Sequence, residues 1–273
     1  MAPMVAALRL IHPAPAAAVT LLSAVLGWLL LDRAGQPPDE RLWLTVLSVA
    51  GSQVFTGAAN DLADLDRDVA AGRTEKPLVR GDLSSGAALW IAAAGLATQL
   101  VTSLALGWAP LALGIVAVGG AAAYNLALSR TPYSPLPYLV SFGTLPLWIA
   151  AGVGVELPRV LPAVPLAALL AAAAHLANIL RDFDADAATA SHSLAQVIGR
   201  QWTRALAVGC ALAVGAGVGI VLVVDGSPEA GPSLLWSFGL GFVIAGGRRE
   251  RDLWYALLLA AVLWTASWAL TSG

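Results

Sequence analysis

The residues best suited to chemistry lie between Asn60 and Gly81, a charged stretch between two apolar segments. Asn60, Asp64 and Asp68 follow one another at intervals of four, so on an α-helix they share one face, and Asp61 lies beside it. Carboxylates on one face repel each other unless a cation lies between them. Mg²⁺ prefers oxygen ligands and is commonly held by one or two carboxylates together with substrate phosphates. The spacing therefore favours a Mg²⁺ site over a loop whose charges are only solvated.

A second polar motif repeats this design farther along the chain. Asn178, Asp182 and Asp186 show the same interval of four residues, so we expect them also to share a helix face. Basic residues, among them Arg73 and Lys76, accompany the first motif. Two such sets suit a diphosphate held by Mg²⁺, because the acids bind the metal, the metal binds the phosphates, and the cations balance the remaining charge. A lipid tail on the diphosphate would then lie among apolar helices.

The composition places these motifs in a membrane. Of the 273 residues, 58% are hydrophobic and 12% are charged, whereas a soluble domain carries about 25% charged residues. The net charge of −2 gives no reason to expect nucleic acid as a partner, and a lone cysteine forms no disulfide framework. We therefore expect a single domain over residues 1–273, embedded in a lipid bilayer that we take to be a bacterial cell membrane.

The fold class predicted is an all-α membrane protein, because a spanning helix needs roughly 20 apolar residues and no alternating strand pattern is present. Nine segments qualify, the eighth being short and glycine-rich. They are 14–31, 42–59, 87–106, 109–127, 136–154, 161–179, 203–224, 233–247 and 253–271.

The distribution of Lys and Arg predicts the orientation. Twelve of these residues fall on the side that holds the N-terminus and both polar motifs, and only Arg33, Arg41 and Arg159 fall on the other. The excess of positive charge marks the cytoplasmic side, so we expect a cytoplasmic N-terminus and site. The two motifs end the second and the sixth helix, four helices apart. This predicts two pseudo-repeated four-helix units around a central cavity, with the acids meeting at the pseudo-symmetry axis.

The motifs also carry a resemblance. The charged stretch reads NDLADLDRD at 60–68 and RTEKPL at 73–78, the second motif reads NILRDFDAD at 178–186, and YNLALSRTP lies at 124–132. Together they resemble the signatures of the UbiA superfamily of intramembrane prenyltransferases, the second motif in its menaquinone-type form. The resemblance extends over nearly the whole chain and includes the number of helices and the placement of the motifs.

The resemblance implies nine helices and the Mg²⁺-dependent transfer of a prenyl group from a prenyl diphosphate to an acceptor, often an aromatic ring. It implies ligands for Mg²⁺ and the diphosphate at Asn60, Asp64, Asp68, Asp182 and Asp186. It implies contacts to the diphosphate from Arg73, Lys76, Tyr124 and Arg130, and it matches Asn178 to a substrate-binding asparagine.

Three positions depart from the family pattern. Lys76 replaces the more usual Arg, which keeps the charge but loses the bidentate geometry of a guanidinium. Ser129 lies where a Lys is expected, and the basic residues that usually follow Asp186 are missing. The weaker grip on the diphosphate leaves a second hypothesis open, a terpene cyclase of the same fold that acts on a prenyl diphosphate without an acceptor.

The reaction follows from charge. When the diphosphate leaves, an allylic cation remains in an apolar pocket that excludes water, and an electron-rich acceptor attacks it and then loses a proton. Asp61 or Asp182 would orient or deprotonate the acceptor. His175 lies two turns before Asp182 and either lines the acceptor pocket or is hydrogen-bonded between helices, whereas His12 is expected to be a loop residue.

Two further classes are weighed against this one. A transporter for cations or organic anions would use the duplicated acids as an ion path, but acids or polar breaks along the predicted helices are few. A CDP-alcohol phosphotransferase would also place acids and Mg²⁺ at the membrane edge, but its Asp-Gly…Ala-Arg pattern is absent from the sequence. Asp66 and Asp184 lie off the acidic faces, and we expect them to be solvated.

Overall fold

The computed structural model describes residues 3–188, 191–224, 252–253, 255–257, 259–260 and 263–264. All regular structure in these residues is helical. The α-helices are α1 (Pro3–Leu10), α2 (Pro13–Arg33), α3 (Glu40–Ala70), α4 (Pro77–Arg80), α5 (Ser85–Leu106), α6 (Trp108–Ala123), α7 (Leu136–Val153), α8 (Ala163–Arg181), α9 (Phe183–Ala188) and α10 (Leu194–Val224). A π-helical turn (Tyr124–Leu128) follows α6, and a 3₁₀ turn (Leu157–Val160) follows α7.

Seven of the described helices are long and apolar enough to cross a membrane. They are α2, α3, α5, α6 with the π-helical turn, α7, α8 and α10. The prediction of an all-α protein with membrane-spanning helices is therefore confirmed. The predicted span at 233–247, most of the span at 253–271, and Arg248, Arg249 and Arg251 lie outside the described residues.

Contacts between residues divide the chain into two compact units. Unit 1 contains Met1–Leu126 and Trp148–Glu156, and unit 2 contains Ala127–Leu147 and Leu157–Gly273. Unit 1 holds the first polar motif and unit 2 holds the second. The single domain, the nine spans and the two-repeat arrangement stay predictions.

Helix α3 is the main element of unit 1, and it is longer than predicted. It begins at an N-cap, Asp39, whose Oδ1 accepts a hydrogen bond from the backbone N–H of Arg41 (3.0 Å). The predicted span stops at 59, but the helix continues to Ala70 because the acidic stretch contains no helix breaker. The first motif therefore lies within the last three turns of α3.

The end of α3 is a Schellman motif, which fixes where the next basic residues lie. Gly72 has a left-handed backbone (φ 65°). The Gly72 N–H bonds the carbonyl of Val69 (3.1 Å), and the Arg73 N–H bonds the carbonyl of Asp68 (2.9 Å). The chain therefore turns back on the helix at Arg73, directly beside the last acidic residue of the motif.

Small residues let α3 and α5 pack closely in unit 1. A Cβ added to Gly51 would lie 2.7 Å from the carbonyl oxygen of Gly95, and one added to Gly95 would lie 2.7 Å from the backbone nitrogen of Phe55. Close approach of small residues is a usual basis for helix association in membranes. Ser48 Oγ also lies 2.6 Å from Ser103 Oγ, so a buried polar contact joins the same two helices.

The second motif does not lie on one continuous helix, and here the sequence prediction is wrong. Helix α8 ends at Arg181, and Asp182 (φ −99°, ψ 9°) separates it from α9. The carbonyl of Asp182 accepts the N–H of Asp186 (2.9 Å), so Asp182 begins the new helix instead of continuing the old one. The four-residue spacing therefore does not place Asn178 and Asp186 on a common helix face.

Candidate active site

Lys76 connects two buried carboxylates of the first motif. Its Nζ lies 2.9 Å from Asp61 Oδ1 and 2.6 Å from Asp68 Oδ2. Asp61 and Asp68 are seven residues, or about two helical turns, apart and so lie on one side of α3. Their side chains are 1% and 3% exposed, whereas Asn60 and Asp64 are half-buried. The buried acidic pair is thus Asp61 with Asp68, and Asp61 belongs to this face instead of lying beside it.

The sequence around Lys76 explains how its side chain reaches α3. The residue before a proline is restricted to extended backbone, and Lys76 has φ −79° and ψ 133° before Pro77. Pro77 starts α4, and Leu78 is buried in a cluster with Leu10 and Ala58. This buried anchor holds the turn after α3 in place, so Lys76 extends back to the acids.

Two arginines also pair with acids of the first motif. Arg73 Nη1 lies 3.3 Å from Asp68 Oδ1, and Arg67 pairs with Asp64 one turn earlier on the same helix. Asp68 therefore faces two cations, Arg73 and Lys76. Two of the three cations that pair with this motif, Arg73 and Lys76, are themselves predicted to contact a diphosphate.

The π-helical turn after α6 brings an amide to the first motif. Asn60 Nδ2 donates to Asn125 Oδ1 (3.3 Å), and Asn125 Nδ2 donates to the carbonyl of Thr56 (3.3 Å). Since π-helical turns often occur at functional sites, the position of this turn is informative. Tyr124 is half-buried at the start of the turn, and Asn125 is buried. Because the amide group is planar, this bond to Nδ2 also fixes the direction of Asn60 Oδ1, the atom that can bind a metal.

The second motif has a more open arrangement in unit 2. Asn178, Asp182 and Asp186 are half-buried. Asp182 Oδ2 lies 3.6 Å from Arg181 Nη2, and the side chains of Asp182 and Arg181 are 38% and 44% exposed. The carbonyl of Arg130 accepts the backbone N–H of His192 (3.1 Å), so the predicted diphosphate contact at Arg130 lies in the same unit as these acids.

His175 is a packed residue in the core of unit 2. Its ring stacks on Tyr138 with a centroid distance of 4.3 Å, and Nε2 lies 3.1 Å from Ser134 Oγ. The side chain is buried, with 1% of the residue exposed. These contacts agree with the alternative of a histidine hydrogen-bonded between segments, and a role for His175 in acceptor binding stays a prediction.

Comparisons with known proteins now decide the family. A model of the UbiA prenyltransferase family matches residues 20–272. This protein belongs to the UbiA prenyltransferase family. The predicted family and the predicted class of enzyme, a prenyltransferase, are both confirmed.

Relatives of this UbiA-family protein are known by sequence and by structure. The digeranylgeranylglyceryl phosphate synthase of Thermococcus kodakarensis is 32% identical over 208 residues, which are 71% of this chain and 70% of that protein. The enzyme of the same name from Natronomonas pharaonis is 29% identical over 202 residues, 72% of this chain and 68% of that protein. A UbiA homologue from Archaeoglobus fulgidus, solved with GPP and Mg²⁺, has a TM-score of 0.73 at 19% identity and covers 97% of this chain and 98% of its own. The last comparison supports the fold alone.

The donor atoms of this UbiA-family protein fit a hard cation. Within the described ranges, no three His, Cys, Asp or Glu side chains lie together as a ready-made metal site. The first motif nevertheless supplies carboxylate and amide oxygens, the ligands that Mg²⁺ prefers. Asp61 Oδ2 is buried, and no hydrogen-bond partner for it lies in the described part of the chain. A buried carboxylate oxygen without a donor is suited to a cation.

The structure thus gathers seven predicted site residues in unit 1 and five in unit 2. Those in unit 1 are Asn60, Asp61, Asp64, Asp68, Arg73, Lys76 and Tyr124, and those in unit 2 are Arg130, His175, Asn178, Asp182 and Asp186. Their roles as ligands, bases or substrate contacts stay predictions.

Two residues that contact the first motif escaped the sequence analysis. His12 Nε2 lies 3.0 Å from Asp61 Oδ1, across 49 residues of sequence, and Asn125 bonds Asn60. The dipeptide His12-Pro13 is typical of a turn with restricted backbone. Nothing in the sequence, however, predicts that His12 contacts Asp61. Asn125 directly follows Tyr124, so the motif at 124–132 includes it without indicating its role.

Proposed function

We propose that this protein transfers a prenyl group from a prenyl diphosphate to a lipophilic acceptor within the membrane, in a reaction that depends on Mg²⁺. The observation that carries the proposal is the buried cluster of Asp61, Lys76 and Asp68 at the end of a membrane-spanning helix. Ionised groups in such helices are costly and mark functional sites. The relative solved with GPP and Mg²⁺ supports both ligands.

In this proposal the acids hold the metal and the basic residues hold the diphosphate. The Mg²⁺ ligands are Asn60, Asp64, Asp68, Asp182 and Asp186. When bound, Mg²⁺ would neutralise negative charge on the diphosphate and so make it a better leaving group. Arg73 and Lys76, which pair with Asp68 in unit 1, would turn toward the phosphate oxygens, and Tyr124 and Arg130 would add further donors.

The protein must also shield the allylic cation from water and accept the proton that the acceptor loses. Loss of the diphosphate leaves an allylic cation, which the apolar helices shield from water. The acceptor attacks the cation with an electron pair, a new bond forms, and the acceptor loses a proton to a carboxylate. We assign that carboxylate to Asp61 or Asp182, with Asn178 and His175 lining the substrate cavity.

Two chemical classes are candidates for the acceptor. The family resemblance favours an aromatic ring, which attacks through an electron-rich carbon. The names of the two archaeal relatives favour a glyceryl phosphate acceptor, which would attack through a hydroxyl oxygen. A third outcome is a cyclisation without any acceptor, in which the cation is quenched within the prenyl chain.

One assay separates these functions. The purified protein in lipid nanodiscs is given prenyl diphosphates of increasing chain length, with Mg²⁺ or EDTA and with an aromatic acid, a glyceryl phosphate lipid or no acceptor. We expect Mg²⁺-dependent release of diphosphate, and mass spectrometry of the products identifies the acceptor. Asp64→Ala and Asp182→Ala should abolish release, whereas Asp66→Ala, at an exposed position of α3, should not. Full turnover by either of the first two variants would contradict the proposal.

We also propose nine spanning helices in two four-helix repeats, in a bacterial cell membrane, with the N-terminus and the site cytoplasmic. The asymmetry of Lys and Arg supports this topology. Cysteines introduced at Asp66 and Arg159, in a Cys210→Ala background, test it in intact cells with a thiol reagent that does not cross membranes. Labelling at position 159 and protection at position 66 are expected, and the reverse pattern would invert the topology.

A further inference from the structure

We propose that His12 is a positioning residue that orients the carboxylate of Asp61 for the reaction. This inference rests on the proposed prenyl transfer and adds a residue of the N-terminal turn to its site. It is carried by three observations in unit 1: the backbone of His12, the approach of that backbone to α3, and the contact of the two side chains.

The backbone of His12 is constrained. Among the residues that the structure describes, it is the only non-glycine residue with a positive φ (50°, with ψ 70°). Left-handed backbone is uncommon for a residue with a side chain, and strained residues of this kind cluster at functional sites. Pro13 follows directly and starts α2, and a following proline disfavours ordinary helical backbone at His12.

Helix α3 is shaped to receive this turn. A Cβ added to Gly57 would lie 2.8 to 2.9 Å from three backbone atoms of Ile11, so only glycine permits the observed approach. Gly57 and Asp61 are four residues apart and share one face of α3. The turn is therefore seated on α3 one helical turn before Asp61, which is where the side chain of His12 can reach the carboxylate.

The contact orients a specific oxygen. His12 Nε2 lies 3.0 Å from Asp61 Oδ1, and since an ionised carboxylate only accepts, Nε2 is the donor. Lys76 Nζ lies 2.9 Å from the same oxygen. Both donors thus act on Oδ1, and Oδ2 has no hydrogen-bond partner within the described residues. His12 and Lys76 together fix the carboxylate so that Oδ2 stays available to a substrate proton or a cation.

Kinetics of His12 variants test this role. His12→Ala should lower kcat about tenfold, the lower range for loss of a residue that orients a functional group, and leave KM for the prenyl diphosphate within about twofold. His12→Gln, which retains an N–H donor, should restore most of kcat. A variant that merely disturbed the fold would lose active protein without this rescue. An unchanged kcat in His12→Ala, or a loss that Gln does not reduce, would overturn the inference.

Glycine variants test the seating of the turn. Gly57→Ala places a methyl group against Ile11 and, like His12→Ala, should lower kcat. Gly119→Ala is the matched control, because a Cβ there meets no atom of the described residues within 4 Å, and its kcat should equal that of the wild type. Equal kcat in Gly57→Ala and the wild type would contradict the proposed geometry.

A double-mutant cycle on thermal stability measures the contact without any turnover. If His12 acts on Asp61, His12→Ala should lower Tm in the wild type and by less than about half as much in an Asp61→Asn background. Equal losses in the two backgrounds would refute the contact. If the wild type turns over no prenyl diphosphate, the proposed function fails, and the cycle still decides whether His12 acts on Asp61.

Discussion

Lys76 Nζ lies 2.6 Å from Asp68 Oδ2, and the two side chains are 16% and 3% exposed. The same ammonium lies 2.9 Å from Asp61 Oδ1. A lysine from the turn after α3 thus lies between Asp68, a predicted Mg²⁺ ligand, and Asp61, which is predicted to orient or deprotonate the acceptor. Binding of Mg²⁺ to Asp68 Oδ2 would require Lys76 to move, and a bound diphosphate would offer it a new partner.

Replacing Lys76 should destabilise the protein and make its stability depend on metal. Lys76→Met leaves two buried carboxylates without their shared cation, and loss of one partner of a buried ion pair costs on the order of 3 kcal/mol. Mg²⁺ should restore part of the lost Tm in this variant and raise the Tm of the wild type less. Thermal unfolding in detergent, with Mg²⁺ or EDTA, measures both effects.

Arg80→Met provides the control for that experiment. Arg80 pairs with Asp82 (3.0 Å), and the two side chains are 41% and 13% exposed, so solvent screens this pair more than it screens the pairs of Lys76. The Tm of Arg80→Met should therefore fall less than that of Lys76→Met and show no added response to Mg²⁺. A Lys76→Met variant as stable as Arg80→Met would show that the buried cluster does not depend on Lys76.

Arg41 should stabilise unit 1 by donating hydrogen bonds to carbonyl groups near the C-termini of two helices. Its Nη2 donates to the carbonyls of Leu106 and Ala151, each at 3.2 Å, near the C-termini of α5 and α7. Hydrogen bonds from a charged donor contribute about 1.5–3 kcal/mol, and a cation is favourable at a helix C-terminus. Arg41→Ala should therefore lower the free energy of unfolding by about 2 kcal/mol, whereas Arg159→Ala, at an exposed position, should change it little. Equal stability of the two variants would contradict this role.

Asn125 should tune metal affinity through Asn60. Because Asn125 Oδ1 accepts from Asn60 Nδ2, Asn125→Ala frees the amide of a predicted ligand to rotate. Loss of such an outer contact typically costs 10–100-fold in metal affinity or activity, so we expect the Mg²⁺ concentration for half-maximal turnover to rise by about tenfold. Leu126→Ala changes an exposed neighbour in the same turn and should leave the Mg²⁺ concentration for half-maximal turnover unchanged. A Mg²⁺ titration of diphosphate release measures both, and matching curves would exclude this role for Asn125.

Close packing of α3 on α5 should tolerate no added methyl group at Gly95. The new Cβ would lie 2.7 Å from backbone of α3, and overpacking of this kind typically costs about 1–3 kcal/mol. Gly95→Ala should lower Tm. Gly86→Ala should not, because a Cβ at this position, near the start of the same helix, meets only the Ser84 hydroxyl (3.9 Å) among the residues that the structure describes. An equal Tm in the two variants would show that α3 and α5 can accommodate a methyl group at Gly95 without loss of stability.

The sequence by itself determined the family, the class of enzyme and most of the membrane helices. Long apolar segments must form helices in a bilayer, since every backbone polar group there needs an internal partner. Charged residues between such segments are conspicuous for the same reason, so the polar motifs of 60–68 and 178–186 could be found without a structure.

Only the tertiary structure decided which side chains meet. Intervals of four residues favoured Asn60, Asp64 and Asp68 as the acidic face, but packing against the turn of His12 and the return of Lys76 bury Asp61 with Asp68 instead. Spacing also gave no sign that the chain would break at Asp182 and divide the second motif between α8 and α9. Helical periodicity describes neighbours within one helix, whereas contacts across 49 residues, as between His12 and Asp61, depend on how helices pack.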